Sequence, residues 1–93
     1  MITENDGKQD INEFVASSQP YDAYVYYTGF IAKDREDKSK PELMKYARQV
    51  AMAAMDMSDK GKIFLVQRKL RPMQYEYIAI RRKPPQPFRR QKI

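Results

Sequence analysis

The sequence predicts an α+β fold: a short N-terminal helix, then β-α-β-β, with one main helix packed on a three-stranded sheet and a disordered basic C-terminal tail. Three observations carry this. Residues 40–59 repeat their apolar positions at helical spacing, residues 62–82 hold two strand-like runs rich in aliphatic, tyrosine and basic residues, and Gly61 separates the two regions.

The main helix carries start and stop signals. Ser39 and Glu42 form a Ser-x-x-Glu capping box, with Lys40 and Pro41 in the first turn, where a missing N–H costs nothing. At about 100° per residue, Leu43, Met44, Tyr46, Ala47, Val50, Ala51, Ala53, Ala54, Met55 and Met57 fall on one arc. Glu42, Lys45, Arg48, Gln49, Asp56 and Asp59 fill the other, with Met52 the one large apolar residue among them. Gly61 is placed to take the left-handed conformation that closes a helix.

Ahead of this helix, residues 1–10 are polar and read as a flexible N-terminus of the single domain 11–82. Asp10 and Glu13 are a second capping signal. They open a short helix in which Ile11, Phe14 and Val15 share a face, and which Pro20 ends. Residues 21–32 are aromatic and β-branched, as strands require, and strict alternation puts Ala23, Val25 and Tyr27 on one side and Tyr24, Tyr26 and Thr28 on the other. Gly29 marks a bulge or the strand's end. Lys33 to Lys38 alternate charges and read as an exposed loop.

After Gly61, the runs 62–70 and 73–82 form a hairpin. Proline cannot adopt the positive φ of a type I′ turn, so a three-residue loop, Arg71-Pro72-Met73, is expected. That loop sets Phe64 opposite Ile80, Val66 opposite Ile78, and Arg68 opposite Glu76, with the aliphatic pairs facing the helix. A right-handed crossover then places the third strand between the first two. The opposite face is expected to display Tyr24, Tyr26, Tyr75 and Tyr77 with Lys69 and Arg81, planar rings for base stacking beside cations for phosphates.

Charge points the same way. The chain has 18 basic and 12 acidic residues, and residues 60–93 hold eleven of the former and one of the latter, a local charge of +10. Such asymmetry marks a polyanion-binding end. The nucleic-acid-binding candidates are Lys69, Arg71, Tyr75, Tyr77, Arg81, Arg82, Lys83, Arg89, Arg90 and Lys92, the last three in a tail stiffened by Pro84, Pro85 and Pro87. Pro84-x-x-Pro87-x-Arg89 also fits the loose pattern of an SH3 ligand.

With no cysteine and no histidine, the usual nucleophiles, acid–base pairs and zinc ligands are lacking, and three glycines form no phosphate-cradling loop. No enzyme, cofactor or metal is expected. The polar start and the lack of a long apolar run imply no Sec signal and no membrane partner, hence a cytoplasmic or nucleoid-associated protein. Its size suits an accessory protein of a virus or mobile element. The chief alternative is a protein–protein interaction module, a regulator, inhibitor or assembly subunit that pairs with a protein partner or a second copy as a homodimer, through the Met-rich helix or the tyrosine face.

Overall fold

A computed structural model describes residues 6–83. The elements are α1 (Asp6–Ser17), β1 (Ala23–Gly29), α2 (Ile31–Asp34), α3 (Pro41–Asp59), β2 (Ile63–Arg71) and β3 (Gln74–Arg81). The sheet runs β1-β3-β2 with both pairs antiparallel, so the last strand inserts between the first two as the crossover argument requires. All helices pack on one side of it.

The stop of α3 is the one its sequence signals. Gly61 takes φ +74° and donates to the Ser58 carbonyl, while Lys62 donates to that of Met57. These are the paired bonds of a Schellman motif. The start differs. Lys40 is the N-cap and no side chain caps the helix, because Ser39 gives both its amide and its hydroxyl to the Asp37 carboxylate. That local Asx-type bonding outcompetes the capping box. The arc itself holds: Ala47, Val50, Ala53 and Ala54 are buried and Met52 is exposed, although Met55, at the edge of the predicted arc, is exposed as well.

The first helix begins at Asp6, four residues ahead of its capping signal at Asp10, so part of the segment expected to be flexible is helical. Its anchor is the lack of a side chain. Gly7 is buried against α3, its amide donating to Gln49 Oε1 at 2.6 Å, and a Cβ there would lie 2.6 Å from that of Gln49. Ile11 is fully buried in the same contact, and Phe14 stacks on Tyr24 at 5.3 Å.

Two further expectations change in detail. β1 stops at Gly29 (φ +145°), one of the two roles expected of that residue, but Ile31 then opens the one-turn α2 where the strand-prone run was expected to reach residue 32. The hairpin turns through two residues, Pro72 and Met73, rather than three. Met73 accepts φ +65° after a proline, the geometry of a type II turn, and a shift in pairing at Leu70 absorbs the odd residue. The expected register survives: Phe64 pairs with Ile80, Val66 with Ile78, and Arg68 with Glu76.

The two faces of the sheet are the reverse of the expectation. Tyr26, Tyr27, Ile63, Tyr77 and Ala79 are buried beneath the helices, with Tyr24, Leu65 and Tyr75 packed around them. Val25, Phe64 and Val66 are exposed. The cause lies in the size of the buried residues. α3 contributes the short Ala47, Ala53 and Ala54 to the core, and long rings fill the space that such short side chains leave. A shift in pairing between Val25 and Tyr27 makes Tyr26 an extra residue, a bulge that turns two successive tyrosines toward the core where strict alternation would bury one.

Candidate binding surfaces

Buried tyrosines need partners for their hydroxyls. Tyr27 donates to Asp34 Oδ2 at 2.7 Å, the same oxygen that receives the Phe30 amide at 3.2 Å. Tyr77 accepts the Ile31 amide at 3.0 Å, and Tyr46 donates to Asp10 Oδ2 at 2.6 Å. These bonds sew α2 and α1 onto the tyrosine layer. Burial pushes the Tyr26 hydroxyl up to about 12, and burial with the carboxylate bonds lifts Tyr27 and Tyr46 well above the usual phenol range. The rings also contact one another, Tyr77 lying 6.3 Å from Tyr26 and 6.0 Å from Tyr27. Tyr77 is therefore inside, Tyr75 is half-buried against Phe30 at 5.5 Å, and neither belongs to an open stacking platform.

The opposite face of the sheet forms three rows across the strands. Ala23, Ile80 and Phe64 make the first, Val25, Ile78 and Val66 the second, and Thr28, Glu76 and Arg68 the third. Phe64 is 49% exposed, Val25 43% and Val66 41%. Two adjacent rows are thus wholly apolar, and among the described residues no helix covers them, while the Arg82 guanidinium lies over the Phe64 ring at one end. Their borders are polar: Arg68 pairs with Glu76 at one end, and at the other the Arg82 guanidinium sits 4.7 Å from the centre of the Phe64 ring.

The predicted cations separate into different environments. Arg81 is committed to the fold, its guanidinium donating to the carbonyls of Val15, Lys62 and Arg82 at 3.1, 2.9 and 3.1 Å. Lys69 and Arg71 are exposed at the hairpin end of β2, and Lys83 is exposed at the opposite end beside Arg82. Arg89, Arg90 and Lys92 lie outside the described residues. Sequence reasoning overlooked Lys62, just before β2, and Arg68 within it, a strand with no carboxylate. It also assigned Phe64 and Val66 to the core. The short side chains on the α3 arc were the available sign that the bulkier tyrosines belonged there.

A shallow groove of about 290 Å³ runs between α2, α3 and β2, lined by Tyr26, Ile31, Met55 and Leu65 with Arg35 at its mouth. It holds no pairing of acid, base and nucleophile. Among the described residues no cluster of acidic side chains is arranged to hold a metal, and no helix is long and apolar enough to cross a membrane. Compared with known proteins, the chain matches no family model, no curated protein and no solved structure.

Proposed function

We propose that the protein binds nucleic acid through phosphate contacts along the β2 edge of its sheet, as a binding protein and not an enzyme. The observation that carries this is the set of cations along that edge, Lys62 just before β2 and Arg68, Lys69 and Arg71 within it, with Glu76 of β3 the one carboxylate in residues 60–93. Nine strand residues extend about 30 Å, so the line can follow several successive phosphates. Arg82 and Lys83 continue it past one end toward the basic segment that follows. The tyrosines have no part in this reading, since their faces are spent on the core, and contacts of this kind hold the backbone without reading bases.

Cations on an edge strand also deter pairing with other sheets, a role that needs no ligand. Binding at graded salt distinguishes the two. Titration of single- and double-stranded DNA and RNA should give log affinity falling by about 0.7–0.9 per phosphate contacted. Removing charge with Lys69→Gln and Arg71→Gln should flatten that slope by about 1.5–2 units, and truncation after Lys83 by a further 2–3 or so. Tyr77→Phe, which keeps the ring, should leave it unchanged. Loss of binding to all four nucleic acids at low salt, or a slope indifferent to the β2 cations, overturns the reading in favour of a protein partner.

A further inference from the structure

We infer that the open face of the sheet is a homodimer interface, two copies stacking their apolar rows face to face. The inference stands on the apolar rows and on a different ligand, a second copy of this chain, and shares with the nucleic-acid reading only Arg68 and Arg82 at the borders of the face.

The arrangement of the rows favours self-association. Ala23, Ile80 and Phe64 form one apolar row and Val25, Ile78 and Val66 the next, so a two-fold axis lying across the strands between them sets each row on the other row of the second copy. Ile80 then meets Ile78, and Phe64 meets Val66. The polar borders distinguish this axis from the alternative. An axis parallel to the strands would stack Glu76 on Glu76 and Arg82 on Arg82, whereas the axis across them brings Glu76 of each copy toward Arg82 of the other. Within the chain Arg68 pairs with Glu76 and Arg82 lies over Phe64, so the charges at both borders are partly engaged before a second copy arrives. What remains uncovered is aliphatic and aromatic.

The size of the face sets the strength. Three strands and the three rows, with Arg82 beyond the first of them, measure about 15 Å by 25 Å, which with the relief of the side chains buries about 1,000 Å² in total, the low end for a specific interface. Association should therefore be reversible, with a dissociation constant on the order of 10–100 µM. The same axis lays the two β2 edges on one side of the dimer, about 10 Å apart. Their like charges oppose assembly, so added salt should tighten the dimer, the opposite of its effect on phosphate binding.

Sedimentation equilibrium of the nuclease-treated full chain from about 1 µM to about 1 mM tests this without any nucleic acid. The expected result is a mass rising from 11.0 kDa toward twice that value and no further, with a midpoint moving to lower concentration between about 0.1 M and 0.5 M salt. Val66→Asp should raise the dissociation constant at least about tenfold with an unchanged far-UV spectrum, and Val25→Glu, on the other strand of the same row, should do likewise. A monomer at every concentration overturns the proposal. So does association that both variants leave intact, or a chain that dimerises only when truncated after Lys83, which would make the tail the natural cover of the face.

Discussion

The hydroxyls of Tyr27 and Tyr46 end on carboxylates, at 2.7 and 2.6 Å, and that of Tyr26 sits in the core. Each of these phenols holds its proton more tightly in the folded chain than in the unfolded one, burial being the first cause and the carboxylates the second where they are present. Tyr24 shifts in the same direction, by burial and by Asp10 and Glu13. A raised folded pKa gives stability that is fully present below the unfolded value near 10 and is lost as pH climbs through the folded one. The protein should therefore be indifferent to pH just below 10 and unfold above it, with tyrosinate absorbance and loss of the far-UV signal rising together. A smooth phenol titration centred near 10 with the fold intact would put these rings on the solvent side. Of the partners that make the burial possible, Asp34 occupies no recognisable motif and Asp10 reads as a helix cap while it in fact receives the Tyr46 hydroxyl, and for that reason the tyrosine layer was not legible from the sequence.

Helix α1 shows how an element can be fixed by an absence. Residues 3–10 hold no apolar anchor, yet Gly7 lets the first turn of α1 lie directly on Gln49 and Val50. Alanine is the better helix former by about 1 kcal/mol, so on propensity alone Gly7→Ala should stabilise. The close approach predicts the reverse: a Cβ placed 2.9 Å from the Val50 amide nitrogen must push the helices apart, costing about 1–3 kcal/mol in a denaturant melt. α3, by contrast, was legible almost to the residue, because a long 3.6-residue period and a glycine at the C′ position are strong local signals. The hairpin register was legible too, since a pairing frame follows from where the chain turns. Which side of the sheet is covered does not follow from alternation. One side is aliphatic and the other aromatic, both suit a core, and only the short residues Ala47, Ala53 and Ala54 on α3 favour the bulkier set.

Taken as a whole, the molecule has one covered and one uncovered sheet face, and two substitutions to aspartate distinguish them. Val50 is fully buried on α3, where Gly7 of α1 packs against it, so Val50→Asp should cost several kcal/mol against a total near 5 or so and leave the chain unfolded. Val66→Asp, on the open face, should shift thermal unfolding of the dilute monomer little. Equal losses from both would mean that the sheet is buried on each side. The position of β3 has one more consequence, a mechanical one. This strand comes after its neighbours in the chain but lies between them in the sheet, and Arg81 at its end is clasped to the Val15 and Lys62 carbonyls. If the basic segment beyond Lys83 is held by a ligand, tension enters along the axis of the strand that is hydrogen-bonded on both sides. Such a load must shear both ladders at once and cannot unzip an edge one bond at a time, so the fold makes its firmest strand the point of attachment.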